Sequence, residues 1–494
     1  MTDQLPDPAA FGAAFEEFIR VMSDAAALPA SPLAERLREH LGADPGGLPS
    51  TVAELATTDH PNLQLALDAV LPDAEIVGFR VAHSGFAPLS LADVIAGQGM
   101  TGPIRPGPVQ EMAIEVGDGR VVACVATGMY LARRGDVPVA LVLSRSERHF
   151  GGANLKVEGV SPEREAVPAL LADLRAAMRE HNVYRGKVIS LHQRDDQPVS
   201  VQFHHPPVVS REAVILPDGT LERLERQALG VAREAERLRA DGRHLKRGVL
   251  LHGPPGTGKT LSVTYLLGAM PGRTTVLLTG RGLGLIEQAL VIARELAPAT
   301  VVFEDVDLVA AERTMHIGAQ GILFELLNQM EGLEEDADLL FVLTTNRPDV
   351  IEPALAARPG RIDLALEVPL PDETAWRRLI RLYAGDVELD AATEDDLVAR
   401  TQSVSGAFIK ELMRQAALRA ALAGSAPARG TDVVAALDEL LDDRAALTRR
   451  LLGQPADGTS PDAPTTPPFG PMLHAIEAAG LPLPPGMGGF VVGE

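Results

Sequence analysis

The sequence predicts a multidomain chain in which an α/β domain with a parallel sheet is preceded by an α+β region and followed by a helical subdomain. Three observations lead to this prediction. The chain has 494 residues, more than one ordinary domain holds. Short apolar segments alternate with helical patterns between about residues 206 and 370, which is typical of βαβ units. A glycine-rich motif at residues 253–260 lies between an apolar segment and a helical pattern.

The composition indicates a soluble globular protein. Hydrophobic residues make up 46% of the chain and charged residues 23%, as in packed domains. The net charge of −22 argues against broad nucleic-acid binding, because such binding needs a basic surface. Cys124 is the only cysteine, so we expect no intrachain disulfide and a reducing compartment. The acidic N-terminus lacks a signal-peptide pattern and no apolar run reaches the length of a membrane span. We therefore expect a cytoplasmic protein with no membrane partner.

Residues 1–60 are predicted to form a helical segment. Phe11, Phe15 and Met22 recur on one helical stripe. The stretch "PLAERLREHLG" is a second helical pattern, closed by a glycine. We interpret both as core-packing helices, with a partner-docking element as the alternative.

Residues 61–205 are predicted to form an α+β domain. "EMAIEVGDGRVVACVATGMYLARRG" and "VPVALVLSR" have the pattern of strands joined by turns. "REAVPALLADLRAAMREHN" indicates a helix and "GKVISL" a further strand. The polar stretch that follows, with His204 and His205 before two prolines, is predicted to be an extended linker. A metal site there is disfavoured because no further ligand lies at a suitable spacing.

The motif "GPPGTGKT" matches the G-x-x-x-x-G-K-[ST] pattern in full. Gly256 and Gly258 let the backbone curl so that several N–H groups point at one phosphate, and the following helix N-terminus adds a favourable dipole. Lys259 is predicted to reach the β- and γ-phosphates, and the Thr260 hydroxyl to ligate Mg²⁺. The residues predicted to bind ATP are Gly253, Pro254, Pro255, Gly256, Thr257, Gly258, Lys259, Thr260 and Leu261.

The run "VVFEDVD" places acids directly after an apolar strand. Val301–Phe303 are predicted to be buried, and Glu304 and Asp305 to emerge at the C-terminal tip, where ligands bind in open α/β sheets. A carboxylate buried without a partner carries a large penalty. We therefore expect a divalent cation and solvent beside these acids, next to the phosphate loop.

These residues resemble the AAA family of ATPases over about residues 211–450. "GPPGTGKT" is similar to the family's Walker A motif and "APATVVFEDVD" to its Walker B motif. "LLNQMEGL" resembles the segment that follows Walker B, "TTNRPDVIEPALAARPGRID" the second region of homology, and "SVSGAFIKELMRQAAL" the lid helix. The resemblance implies a P-loop NTPase fold, with an α/β nucleotide-binding domain at 206–370 and a helical lid at 371–452. Residues 453–494 are rich in Pro and Gly and are predicted to be a disordered tail.

The resemblance also implies roles for particular residues. Asn346 is the sensor that holds the attacking water or detects the γ-phosphate. Arg358 and Arg361 reach the nucleotide of a neighbouring subunit, where an arginine stabilises charge on the transferring phosphoryl group. Gly406 and Ala407 lie near the adenosine. Arginines that act in trans imply a homo-oligomer, most simply a hexameric ring.

Three features depart from the family pattern. The common Walker B order is Asp then Glu, whereas here Glu304 precedes Asp305. We assign the Mg²⁺-side role to Glu304 and polarisation of the water to Asp305, whose shorter arm makes slow hydrolysis a hypothesis. The connection "TGRGLGLIEQAL" lacks the aromatic residue of many protein-threading members, and Arg281 and Leu283 are the nearest candidates to face a channel. No H-E-x-x-H zinc motif is present.

The sequence therefore predicts a Mg²⁺-dependent ATPase that remodels or translocates a protein client, recognised directly or through an adaptor by residues 1–205. The alternative is a nucleotide-gated assembly scaffold or switch with slow hydrolysis. A nucleic-acid motor is disfavoured by the net acidity and by the lack of interleaved basic and aromatic residues. The composition, rich in Ala, Arg, Leu and Pro, favours a bacterial source. The predicted catalytic residues are Lys259, Glu304, Asp305, Asn346, Arg358 and Arg361.

Overall fold

The structure of the chain is a computed structural model. It describes residues 17, 31–81, 89–99, 102–145, 154–193, 198–279, 284–307, 337–349, 362–401, 404–425 and 427–441. The contacts divide the chain into two units, Met1–Arg378 and Leu379–Glu494. The predicted helical stripe near the N-terminus (apart from Glu17), the segment "LLNQMEGL" and the Pro/Gly-rich tail lie outside the described residues.

The first unit begins with an eight-stranded antiparallel sheet. The strand order is β1-β8-β7-β6-β2-β4-β3, and β5 pairs with β6. The strands are β1 (Ser50–Ala56), β2 (Glu75–Val81), β3 (Gln98–Gly99), β4 (Gly102–Gly107), β5 (Gln110–Glu115), β6 (Val121–Arg134), β7 (Val137–Arg145) and β8 (Asn154–Val160). The strands predicted from the two apolar stretches of this region are thereby confirmed as β5, β6 and β7.

Helices cover both faces of this sheet. The helices are α1 (Pro32–Leu41), α2 (His60–Val70), α3 (Leu91–Ala96) and α4 (Ala166–Glu180). Leu141 of β7 packs in one apolar cluster with α2 and α4, whereas the next residue, Val142, packs in another with α1 and α3. Successive residues of a strand point to opposite faces, so the two clusters lie on the two sides of the sheet.

A second, seven-stranded sheet carries the predicted phosphate loop. Its strand order is β10-β9-β12-β13-β14-β11-β15. The strands are β9 (Val188–His192), β10 (Ser200–His204), β11 (Arg247–His252), β12 (Thr274–Thr279), β13 (Ala299–Glu304), β14 (Leu339–Thr345) and β15 (Leu364–Glu367). All neighbouring strands run parallel except β10, which is antiparallel to β9.

The helices that accompany this sheet bury it on both faces. They are α5 (Thr220–Glu225), α6 (Val231–Arg233), α7 (Ala235–Ala240), α8 (Lys259–Gly268) and α9 (Ile286–Glu295), and a π-helical turn (Arg226–Gly230) joins α5 to α6. Every residue of β14 is buried, as is typical of a parallel strand covered on both sides. The predicted βαβ alternation is thereby confirmed.

The structure corrects two interpretations of the N-terminal region. Ser50–Ala56, within the segment predicted to be helical, is a strand, because it pairs with β8 along its whole length. Ser200–His204, within the predicted linker, is also a strand and pairs with β9. The predicted strand "GKVISL" is confirmed as β9, but it joins the second sheet through β12.

The second unit is helical among its described residues. The helix α10 (Glu373–Ala384) crosses the boundary between the two units. It is followed by α11 (Ala391–Arg400), α12 (Gly406–Leu422) and α13 (Gly430–Leu441). Ser405 caps α12 by accepting a hydrogen bond from the Phe408 N–H. The predicted helical segment after residue 371 is confirmed as far as Leu441.

A buried ionic cluster joins the N-terminal ends of four strands of the second sheet. Asp338, which precedes β14, accepts hydrogen bonds from Arg247 at 2.9 Å and from Arg273 at 2.7 Å and 3.0 Å. All three side chains are at least nine-tenths buried. Arg273 also donates to the Ala299 carbonyl of β13. Burial opposes ionisation of Asp338, but the hydrogen bonds and charges of the two arginines outweigh it and lower the pKa of this carboxyl.

We predict that Asp338→Asn lowers the free energy of unfolding by about 3–5 kcal/mol, because it leaves two buried guanidinium groups without a counter-charge. Urea denaturation followed by circular dichroism measures the change. Asp173→Asn is the matched control, since Asp173 forms an exposed ion pair with Arg134 and such pairs contribute little. If both variants unfold at the same urea concentration as the wild type, the cluster does not stabilise the strand ends.

Candidate nucleotide-binding site

The loop between β11 and α8 adopts backbone conformations that favour glycine. The φ angles of Gly253, Gly256 and Gly258 are 144°, 75° and 107°, in the region that L-residues rarely occupy. A Cβ atom on Gly253 would lie 2.2 Å from the carbonyl oxygen of Val368. The sequence predicted the curl at Gly256 and Gly258, and the structure adds the close approach at Gly253.

Lys259, the first residue of α8, lies against this loop. Its ammonium group donates to the carbonyl oxygens of Gly253 at 2.8 Å and Pro254 at 2.7 Å. Only 6% of the residue is exposed. Burial lowers the pKa of this lysine, and the charges of Asp305 and Asp307 act in the opposite direction. A cation is thus held within the loop, facing the acids at the end of the neighbouring strands.

Glu304 ends β13 beside the first turn of α8. The Thr260 side chain lies close enough to this carboxylate to favour its ionised form. Burial, and then the charge of Asp305, raise the pKa of Glu304, while Thr260 acts in the opposite direction. A hydroxyl and a carboxylate in contact provide the hard oxygen ligands that Mg²⁺ prefers. The two residues predicted to hold the metal therefore fit it chemically and lie together.

Asp305 adopts a left-handed backbone conformation, with φ of 48°. This conformation costs a non-glycine residue about 1–3 kcal/mol, so the surroundings must hold it. The Asp305 N–H donates to Thr344 Oγ1 at 3.0 Å, and Asp305 Oδ1 accepts from Asn346 Nδ2 at 3.2 Å. The predicted water-polarising residue and the predicted sensor thus contact each other directly.

Asp307 is a site residue that the sequence analysis did not select. Its Oδ1 accepts hydrogen bonds from Thr345 Oγ1 at 2.9 Å and from the Asn346 N–H at 3.0 Å. The residue is 8% exposed. The third acid of "VVFEDVD" was the available signal, but only the pairing of β13 with β14 shows what it contacts. Asp307 fixes the backbone from which the Asn346 side chain projects.

The other predicted site residues are not part of this described cluster. Gly406 and Ala407 begin α12, in the second unit. Arg358, Arg361, Arg281 and Leu283 lie outside the described residues. Within the first unit, the structure therefore brings together the loop, its lysine and threonine, the acids at the end of β13 and the asparagine after β14.

Residues 249–370 match the family model described as "ATPase family associated with various cellular activities (AAA)". This range runs from β11 to the residues after β15 and includes every member of the cluster. The chain contains an AAA ATPase domain. The resemblance inferred from the sequence motifs is thereby confirmed.

Several curated proteins are similar to the chain over this domain. A 26S proteasome regulatory subunit 6B homolog of Aspergillus niger is 37% identical over 193 residues, which cover 35% of this chain and 44% of the relative. The ATP-dependent zinc metalloprotease FtsH 2 of Sphaerobacter thermophilus is 35% identical over 230 residues, covering 44% and 35%. A proteasome-activating nucleotidase of Methanopyrus kandleri is 29% identical over 243 residues, covering 46% and 55%. The chain thus spans about a third to a half of the length of these relatives.

Two properties of the described residues bear on the comparison with a zinc metalloprotease. No three His, Cys, Asp or Glu side chains in the described ranges form a group that could hold a metal ion. None of the described helices combines the length and apolar composition required to cross a bilayer.

We predict that Gly253→Ala weakens ATP binding at least tenfold, because its Cβ would clash with the backbone at Val368 and its φ angle disfavours alanine. Titration with a fluorescent ATP analogue measures the dissociation constant. Gly268→Ala is the matched control, since a Cβ on Gly268, at the end of α8, meets no atom within 4 Å. Wild-type affinity in Gly253→Ala would contradict the role of this close approach.

Proposed function

We propose that the protein is a Mg²⁺-dependent ATPase that works as an oligomeric ring and remodels or translocates a protein client. The observation that supports this most directly is the pair of contacts that joins three separate motifs. The Thr260 hydroxyl lies beside the Glu304 carboxylate, and Asp305 accepts a hydrogen bond from Asn346. The phosphate loop, the acidic strand end and the sensor therefore form one cluster of the composition that ATP hydrolysis requires.

In the proposed mechanism each residue of the cluster has one task. Loop N–H groups and Lys259 bind the phosphates, and Thr260 and Glu304 hold Mg²⁺. When bound there, Mg²⁺ would supply positive charge that offsets the charge of the phosphate groups. Asp305 accepts a proton from the attacking water, and Asn346, which already contacts Asp305, orients that water.

We further propose that the ring is a homo-oligomer, most simply a hexamer, in which Arg358 and Arg361 complete the site of the neighbouring subunit. Arginine in this role stabilises charge that develops on the transferring phosphoryl group. The family membership and the names of two relatives, a proteasome regulatory subunit and a proteasome-activating nucleotidase, support a protein client. Residues 1–205 are proposed to recognise that client or an adaptor.

A second candidate function is a nucleotide-gated scaffold or switch that hydrolyses ATP slowly. The observation that favours it is the geometry of Asp305. This residue has a shorter side chain than the glutamate common at its position, its backbone is held at a positive φ, and its carboxylate is already engaged by Asn346. General-base catalysis depends closely on reach and orientation, so each feature would slow the chemical step.

We predict that Asp305→Asn lowers kcat about 100-fold, since general-base catalysis typically contributes 10²–10⁴-fold, with little change in affinity for ATP. Asparagine tolerates a positive φ, so the backbone at this position is retained. Steady-state phosphate release and fluorescent ATP titration measure the two quantities. Asp349→Asn, a nearby exposed carboxylate paired with Arg347, is the control. Hydrolysis at the wild-type rate by Asp305→Asn would contradict the assigned role.

We predict that the ATPase rate per protomer rises with protein concentration, and that Arg361→Ala reduces it at least tenfold, because the arginine acts on the neighbouring subunit's nucleotide. Arg134→Ala, which removes an exposed arginine of the first sheet, serves as the control. A rate independent of concentration and of Arg361 would exclude catalysis in trans. A near-zero rate with tight ATP binding would favour the switch.

A further inference from the structure

A cavity of about 760 Å³ is bordered by the first sheet and by the β9–β10 hairpin of the second sheet. This volume is in the range of ligand-binding pockets, about 300–1,000 Å³. The four consecutive residues 112–115 of β5 line one side, and the four consecutive residues 199–202, which include the start of β10, line another. One face of a strand would contribute alternate residues, so the cavity is bordered by the backbone edges of these strands.

Both edges are open among the described residues. The strand β5 pairs with β6 alone, and β10 pairs with β9 alone and ends the second sheet. An unpaired edge presents a row of backbone N–H and C=O groups that can bond another strand. At about 3.3 Å per residue, four residues on each edge span about 13 Å.

The ladder pattern identifies which groups of β10 point into this space. The Thr275 N–H of β12 bonds the Lys187 carbonyl, so the backbone groups of Lys187 point toward β12. Successive residues of a strand direct their backbone groups to alternate sides, and Ser190 is an odd number of residues after Lys187. The backbone groups of Ser190 therefore point to the other side, toward β10. Its partner Gln202 therefore directs its own groups toward β9. The intervening Val201 directs its N–H and C=O away from β9, to the open edge.

Arg145, at the end of β7, brings a positive charge to the cavity wall. Its Nη1 lies 3.1 Å from Nδ1 of His60 and 3.2 Å from the Met112 sulfur. His60 is fully buried, and burial lowers its pKa to about 4. The imidazole is therefore neutral: its Nε2–H donates to the Val125 carbonyl, at 2.9 Å, and Nδ1 accepts from Arg145. The neutral imidazole of His60 is thus one of the groups that orient the guanidinium at the cavity.

We propose that this cavity binds an extended peptide segment of a partner protein, which adds as a strand to the open edge of β10 and places an acidic side chain near Arg145. A peptide backbone supplies the alternating donors and acceptors that an open edge pairs with, as in other cases of strand addition. Among the described residues that line the cavity, Arg145 is the one arginine or lysine and Glu115 the one aspartate or glutamate. A carboxylate on the peptide would complement Arg145, and it would avoid Glu115.

The site would connect client binding to the nucleotide site through one hydrogen-bonded ladder. The order β10-β9-β12-β13 leads from the open edge to the strand that ends in Glu304. The residue opposite Glu304 is Thr279 of β12. This peptide site would be the place where the proposed ATPase engages its client. Only the identification of the partner as a client rests on the proposed function.

An array of random octapeptides, probed with the full-length protein in the absence of ATP, tests the proposal. The peptide bound most tightly is then measured by fluorescence anisotropy against the wild type, Val201→Pro and Val201→Ala. Proline removes the N–H at the open edge, whereas alanine keeps it. Both substitutions remove the valine side chain, so alanine is the control for that loss. We expect about tenfold weaker binding to Val201→Pro, with affinity retained by Val201→Ala. Replacing the peptide's Asp or Glu by its amide should also weaken binding.

Peptides N-methylated at alternate positions test the same bonds without altering the protein. One of the two methylation registers should abolish binding and the other should preserve it. The proposal is overturned if no octapeptide binds. It is also overturned if Val201→Pro binds the peptide as tightly as the wild type and neither methylation register changes the affinity. Loss of peptide binding as the chain self-associates at higher protein concentration would overturn it as well. Because ATP is absent, failure here is distinct from failure of ATP hydrolysis.

Discussion

The parallel pairing of β13 with β14 is the constraint on which the candidate site depends. It brings the acids that follow one strand and the asparagine that follows the other to the same edge of the sheet. Asp307 then fixes the Asn346 backbone, and Thr344 holds the unusual conformation of Asp305. Without this register the two polar strand ends would not meet, and the carboxylates would lose the hydrogen bonds that offset their partial burial.

At the opposite edge of the same sheet, the strand ends are held together by a buried ionic cluster. Polar groups at strand ends are stable there only when they satisfy one another. At the N-terminal ends, the Asp338 carboxylate is paired with two buried arginines. At the C-terminal ends, the ammonium group of Lys259 is bonded to two loop carbonyls, and Glu304 and Asp305 are only partly buried.

Much of this arrangement could be predicted from the sequence because the relevant signals are local. The glycines of the loop "GPPGTGKT" indicate its tight curl, and "VVFEDVD" indicates both a buried strand and its polar end. The role of Asp307 could not be predicted, since its partners Thr345 and Asn346 are 38 and 39 residues away. The strand at Ser200–His204 was missed for a different reason: its polar composition resembles a linker until β9 is placed beside it.

The hairpin of β9 and β10 changes how the N-terminal region relates to the second sheet. A flexible linker would let the two parts move independently, whereas a strand that joins β12 continues the hydrogen-bonded ladder into the ATPase domain. The Val183 N–H, just before β9, bonds Asn62 of α2 at 2.9 Å, and Tyr184 OH bonds the Thr58 carbonyl at 2.5 Å. The helix α2, which packs on the antiparallel sheet, and the turn before it are therefore tied by hydrogen bonds to the segment that enters β9. Backbone hydrogen bonds thus continue from β9 through β12 to β13.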